Sequence, residues 1–256
     1  MADWVPPHVR RLLNRSAGGG AVRYSGDFRT WEEARRHSLG YDTPAILERV
    51  AQSMLKVQRG EAVYERDSVL FDHVEHSFPL LTGLLRAALA NSGRLNVVDI
   101  GGSLGSTYYQ CRNVLEAPAS VRWCVVEQPL FASCGRENFQ SDELRFFENL
   151  ENCLATERPD IAILSSVLPY VERPHALLET VARSVPRVII DRTPLWSDLP
   201  DRLTVESVPD SIYGFATSYP AWILNRDGVL NHFVPRFRLV LEFDALAGTI
   251  AVDGTL

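Results

Sequence analysis

The sequence predicts an α/β protein, a doubly wound parallel sheet behind a helical N-terminal extension, on three observations. First, the apolar run Leu95-Asn96-Val97-Val98-Asp99-Ile100 carries a carboxylate near its end. The glycine turn Gly101-Gly102-Ser103-Leu104-Gly105 and a helix-competent stretch, Ser106 to Glu116, follow at once. Strand, glycine turn and helix in that order bring backbone amides and a helix N-terminus up to a ligand. Second, another apolar run, Val121 to Val126, ends in Glu127. An acid about twenty residues past a glycine turn, at the tip of the next strand, can accept hydrogen bonds from a ribose. Third, apolar runs alternate with helical patterns from residue 94 onward, and continuous apolar runs suit parallel strands covered on both faces. The two acids and the turn point to a nucleoside cofactor.

The elements follow in chain order. The basic cluster His8 to Arg15 adjoins Ala17-Gly18-Gly19-Gly20, so residues 1–20 read as a flexible terminus. Residues 21–92 read as a helical cap. Thr30-Trp31-Glu32-Glu33 has the capping-box pattern and opens a short helix towards His37. Thr43-Pro44 looks like an N-cap with a first-turn proline, and Ile46, Leu47, Val50, Ala51, Met54 and Leu55 form an apolar stripe closed by Gly60. A third helix runs from Asp67-Ser68 to Leu89 and breaks or kinks at Pro79. Asn91-Ser92-Gly93 sets the boundary with the cofactor-binding domain, residues 93–256. There, Phe131 to Phe139 and Pro174 to Val185 read as helices. Leu144 to Phe147, Asp160 to Leu164 and Arg187 to Asp191 read as strands. Tyr219 to Phe233 is expected to be another helix, and Phe237 to Phe243 with Gly248 to Val252 a closing antiparallel pair. Residues 192–218 receive no assignment.

Bulk properties narrow the function classes. The chain has 256 residues, 46% of them hydrophobic and 23% charged, an ordinary balance for a protein with a full core. A net charge of −6 gives no reason to expect a nucleic-acid partner. Cys111, Cys124, Cys134 and Cys153 lie far apart with no C-x-x-C pair, so neither zinc nor a disulfide framework is indicated and a cytoplasmic setting is expected. No apolar run is long enough for stable membrane insertion. The sequence leaves the oligomeric state open.

A dinucleotide site would show G-x-G-x-x-G, which is absent. The observed acid-x-Gly-Gly-Ser-x-Gly order resembles the acid-x-Gly-x-Gly-x-Gly loop of class I S-adenosylmethionine-dependent methyltransferases, with Ser103 in place of the middle glycine. The likeness extends to Gly40-Tyr41-Asp42, Tyr64-Glu65-Arg66-Asp67-Ser68, Val126-Glu127-Gln128, Val167-Leu168-Pro169-Tyr170, Asp191-Arg192-Thr193-Pro194 and Ser218-Tyr219-Pro220-Ala221-Trp222. Together, over roughly residues 26–243, these resemble a bacterial family of methyltransferases encoded in surface-polysaccharide (O-antigen type) gene clusters. The resemblance implies a Rossmann-like sheet, S-adenosylmethionine as cofactor and a small-molecule or carbohydrate acceptor. It implies that Asp99 anchors the cofactor's amino group and that the backbone from Gly101 through Gly102 and Ser103 to Gly105 passes close to the methionine part. Glu127 would take both ribose hydroxyls, Glu148 or Asn149 would lie near the adenine, and Ser165 and Ser166 would line the site.

Other readings of the same residues remain open. Transfer to a sugar hydroxyl needs a base, for which His175, Glu65 and Asp67 are candidates. Arg192 can hold an anionic acceptor or pair with a neighbouring acid. Tyr41, Tyr64, Tyr219 and Trp222 can form an aromatic wall for a sugar or simply pack. His73 and His76, three apart, can share a metal if helical, but no third ligand is evident, so no metal is expected. Gly101-Gly102-Ser103-Leu104-Gly105 also fits G-x-S-x-G, with Asp191 or Asp198 and then His232 in the serine hydrolase order. Finally, a homologue that binds the cofactor without transferring a methyl group would carry the same loop.

Overall fold

The computed structural model describes residues 22–40, 44–66, 68–116, 118–210, 216–245 and 248–253. β1 (Arg23–Phe28) leads into α1 (Trp31–Arg36), α2 (Pro44–Gln58), the hairpin of β2 (Tyr64–Arg66) and β3 (Val69–Phe71), and α3 (Phe78–Ala90). The alternating part follows as β4 (Arg94–Ile100), α4 (Ser106–Cys111), β5 (Ser120–Val126), α5 (Pro129–Asn138), β6 (Leu144–Phe147) and α6 (Leu150–Thr156). It continues through β7 (Ile161–Ser165), a 3-10 turn (Leu168–Tyr170), α7 (Pro174–Ser184) and β8 (Val188–Asp191). Then come β9 (Leu195–Trp196), β10 (Arg202–Val208), β11 (Thr217–Asn225) and α8 (Arg226–Asn231).

Five strands form a parallel sheet in the order β6-β5-β4-β7-β8. The order reverses at β4, so the crossovers lie on both faces and the sheet is doubly wound and Rossmann-like, as the sequence predicts. Alternation along β4 shows why both faces are apolar. Leu95 and Val97 enter a core with α2, α3, Trp123 and Phe131, while Val98 and Ile100 enter a second core with Leu150, Leu164, Leu178 and Val181. β4 over most of its length and β7 throughout are buried on both sides, which is why they read as continuous apolar runs, whereas the edge strand β6 exposes Arg145.

The N-terminal extension is mixed rather than helical. Its α1 forms where the capping box was read: Thr30 Oγ1 accepts from the Glu33 amide at 3.2 Å, and Glu33 reaches back to the Arg29 amide at 3.0 Å. The third expected helix is shorter than its apolar pattern. Residues 69–71 pair in the β2–β3 hairpin, and α3 starts only after Ser77, with Pro79 in its first turn. A proline there removes an amide that would have no helical partner, so it begins the helix instead of breaking it. His73 and His76 therefore lie in the preceding loop, not on one helical face, and His73 contacts Asp72 at 2.6 Å.

A second sheet, β1-β10-β11-β9, joins the extension to the unassigned segment. β10 pairs antiparallel with both β1 and β11, and β9 pairs in parallel with the end of β11. The expected helix over Tyr219 to Phe233 is thus a strand as far as Asn225, followed by a short helix capped by Asn225, whose side chain accepts from the Gly228 amide. Pro220 is tolerated because β9 covers only Leu224 and Asn225, leaving one flank of β11 unpaired at that point. Phe237 to Phe243 has no regular structure, and Val252 forms an isolated parallel bridge with Tyr24 rather than an antiparallel pair. The basic cluster and the glycine run, like Tyr41 and Asp67, lie outside the described residues. All four cysteines are free. Among the described residues no helix is long and apolar enough to cross a membrane.

Candidate functional site

The carboxyl edge of the parallel sheet opens into a cleft of about 810 Å³. The glycine turn after β4 forms its floor. Gly101 (φ 72°) and Gly105 (φ 93°) are left-handed, and Gly105 is the N-cap of α4. A Cβ on Gly101 would stand 2.6 Å from Val167 Cγ2, and one on Gly102 would stand 2.6 Å from Asp99 Oδ2. A side chain at either position would collide with its neighbour, so the turn needs glycine for packing at both and for conformation at Gly101. Ser103 is left-handed too (φ 54°), at a cost of about 1–2 kcal/mol in a residue with a side chain. Ser166 and Arg192, just after β7 and β8, share that conformation (φ 59° and 48°) and line the same cleft. Strained residues at the tips of three adjacent strands mark a site whose shape is held by its surroundings.

Three acids sit on this edge. Glu127, half-buried at the tip of β5, accepts the Ser103 amide at 3.3 Å and the Gln128 amide at 2.7 Å, tying the glycine turn to the neighbouring strand. Burial raises its pKa, and the two amides oppose the shift. Asp99 is only 1% exposed. It sits behind Gly102 and accepts from Trp123 Nε1 at 3.1 Å. Burial pushes it up to about 7, against the Trp123 hydrogen bond and the charge of Arg192. Asp191, at the end of β8, accepts the Arg192 amide at 3.0 Å, and burial raises it as well. Ser165 Oγ accepts Arg192 Nε at 3.2 Å, so Ser165, Asp191 and Arg192 form one group.

The structure brings Gly101, Gly102, Ser103, Glu127, Ser165, Ser166, Tyr64, Arg192 and Tyr219 to one cleft. It places others elsewhere. Gly105 shapes the turn from outside the lining, where its Cβ would meet Leu144 at 3.2 Å. Glu65 is buried and joins the extension to the glycine turn, accepting from the Ser68 amide at 2.6 Å and Ser106 Oγ at 2.7 Å. Glu148 pairs with Arg136 at 2.7 Å, and Asn149 caps α6 by accepting the Asn152 amide. His175 lies in a separate depression. Its Nε2 meets Asp201 at 2.6 Å and its Nδ1 meets His232 at 2.7 Å. Trp222 lines that depression too, packed against Leu203 and Val205. His232 is therefore not beside Ser103, and among the described residues no histidine lines the cleft.

Sequence reasoning missed several lining residues, Arg35, Arg36 and Arg66 from the extension with Tyr170 and Glu206, and it weighed Asp191 only as a hydrolase acid. Asp191 carries the same signal as Glu127, an acid ending an apolar strand. Glu206 lies in Arg202-Leu203-Thr204-Val205-Glu206-Ser207-Val208, whose alternation is itself a strand signal.

No protein-family model matches the chain, and no curated protein matches it. Among solved structures, the N-terminal domain of EvdMO1, crystallised in the presence of SAH and D-fucose, is 16% identical over 75% of this chain and 87% of that one, with a TM-score of 0.42. SAM-bound CalS10, an amino pentose methyltransferase from Micromonospora echinaspora, is 9% identical over 61% of this chain and 79% of its own, with a TM-score of 0.40. The mitomycin 7-O-methyltransferase MmcR is 20% identical over 62% and 53%, with a TM-score of 0.31. Likenesses this distant assign neither function nor cofactor, and the fold stands on the strand order itself.

Proposed function

We propose that this chain is an S-adenosylmethionine-dependent methyltransferase that O-methylates a sugar or related small metabolite, with surface-polysaccharide assembly as its setting. The carrying observation is the tether between Ser103 and Glu127. It gathers the glycine cradle and a strand-tip carboxylate onto one cleft. Each Glu127 oxygen has room for a second hydrogen bond, which suits the two hydroxyls of a ribose. Gly101 and Gly102 line the cleft, where a methionine chain would pass, and Asp99, behind Gly102, would act on its ammonium group across the Gly102 backbone. Glu148 and Asn149, beyond β6 on the Glu127 side of the sheet, would mark the adenine end.

When bound, S-adenosylmethionine supplies a methyl carbon activated by a positive sulfur, so the protein's main task is alignment. Ser165, Asp191 and Arg192 hold one another in a fixed group, and Arg192 would orient an anionic part of the acceptor. Tyr64 and Tyr219 would pack against its apolar face. The hydrolase reading of Ser103 lacks its histidine, since His232 pairs with His175 outside the cleft. The test is incubation with S-adenosylmethionine carrying a CD3 group and a panel of free hexoses, 6-deoxyhexoses and nucleotide-activated sugars, read by mass spectrometry. A CD3-labelled sugar is expected. A protein that binds the cofactor and labels none of them would be a binder, and the transferase reading would fall.

A further inference from the structure

Methyl transfer to a hydroxyl needs a proton acceptor, and the sequence candidates do not supply one in the cleft. His175 lies in the other depression, and Glu65 is committed to Ser68 and Ser106. Asp67 is outside the described residues. The second sheet brings a different carboxylate to the cleft. Glu206 on β10 is 5% exposed and lines the cleft wall. Its cross-strand neighbours are Tyr24 on β1 and Tyr219 on β11, so three strands set these residues in one row. Tyr170, from the 3-10 turn, donates its hydroxyl to Glu206 Oε2 at 2.8 Å and meets the Tyr219 ring edge-on at 5.3 Å. Burial and the Glu206 carboxylate push the Tyr24 and Tyr170 phenols upward, so they remain protonated donors.

Resting on the methyltransferase reading, we propose that Glu206 is the base that takes the acceptor's hydroxyl proton, with Tyr170 as its positioning residue. A carboxylate in an enclosed wall is costly unless it has donors and a task. Tyr170 supplies a donor, and the cleft supplies the task. In the step, the acceptor oxygen bonds to the methyl carbon as the carbon–sulfur bond breaks. That bond's electron pair stays on sulfur, leaving a neutral thioether, and the hydroxyl proton passes to a Glu206 oxygen. Donation from Tyr170 favours the ionised carboxylate, which is the form that can accept the proton.

The experiment compares wild type with Glu206→Gln, Glu206→Asp and Tyr170→Phe, using the CD3 donor and the sugar panel. It also measures the affinity for S-adenosylhomocysteine, and follows a pH titration by NMR on protein labelled with 13C at glutamate Cδ. Glu206→Gln is expected to bind S-adenosylhomocysteine within about threefold of wild type while transfer falls by about 10²- to 10⁴-fold. Its rate should lose the acidic limb of the pH profile, and Glu206→Asp should recover part of the rate. The carboxyl resonance missing from Glu206→Gln should titrate in wild type, and Tyr170→Phe should move its midpoint to higher pH. Glu206→Gln transferring at the wild-type rate with the same acidic limb would overturn the base role alone. So would a Glu206 resonance that stays protonated from pH 4 to 9. A wild type that binds S-adenosylhomocysteine but methylates no sugar would overturn the function, and the base role with it.

Discussion

The two walls of the cleft are built in contrasting ways. The glycine-turn wall is local: Asp99 to Gly105 is one short stretch, and its partner Glu127 lies on the adjacent strand. The Glu206 wall is assembled from Tyr170, Glu206 and Tyr219, with Tyr24 as the partner of Glu206 on β1; these four separate segments meet through strand pairing and the Tyr170–Glu206 hydrogen bond. A nucleoside half needs backbone amides and carboxylates at strand tips, which any doubly wound sheet provides at its carboxyl edge. An acceptor half has no such template, so its chemistry is free to come from wherever the chain returns. On the proposed reading, one wall takes the cofactor, and the other is where this protein's own specificity would reside.

The contrast can be broken or sharpened by substitution. Removing Glu206 should give the largest loss, in transfer and not in cofactor affinity. In the other wall, Asp99 offers the largest stability effect. Its folded-state pKa of about 7 lies above the ordinary carboxylate value, so the folded chain favours the protonated form. Its contribution is full below about pH 4 and is lost as pH rises through about 7, up to about 4 kcal/mol in all. Denaturant melts across that window should show wild type losing stability relative to Asp99→Asn. Parallel curves would mean that Asp99 is not buried as described. Glu127→Gln should weaken S-adenosylmethionine binding by about ten- to a hundredfold, the cost of a charged hydrogen-bond acceptor. Its melting temperature should fall slightly, because Gln keeps one acceptor oxygen for two amides, those of Ser103 and Gln128. Ser103→Gly should relieve left-handed strain and raise stability by at most about 1 kcal/mol, read as a small upward shift in melting temperature. Smallest of all, His175→Ala should leave cofactor affinity and transfer unchanged, since its partners are Asp201 and His232 outside the cleft. A hundredfold loss of transfer in that variant would reinstate it as a base and displace Glu206.

Legibility in the sequence follows the same division. β4, β5 and β7 are readable because both of their faces are buried over most of their length, and β6 and β8 because short, mainly apolar segments lead up to an acid. Gly101, Gly102, Ser103 and Glu127 were readable because their spacing is local. β11 was misread as helix because burial on both faces hides its alternation, and because Pro220 argues against a strand unless an open flank is known. β10 alternates, yet its meaning depends on β1, nearly two hundred residues earlier. Glu206 thus stayed invisible although its strand pattern is plain. Conversely, His175 attracts attention by its chemistry and its place in the first turn of α7, whereas its side chain turns to Asp201. Residue type told where titratable groups lie along the chain, and only pairing told which of them share a cavity.

The most direct measurement is calorimetric titration of the purified protein with S-adenosylmethionine, beside Glu127→Gln. A binding site built by the Ser103–Glu127 tether predicts one site per chain at micromolar affinity, weakened by the substitution in a protein that remains folded and still unfolds cooperatively. A folded wild type that takes up no S-adenosylmethionine, or a variant that binds it equally well, would contradict the assignment of the cleft.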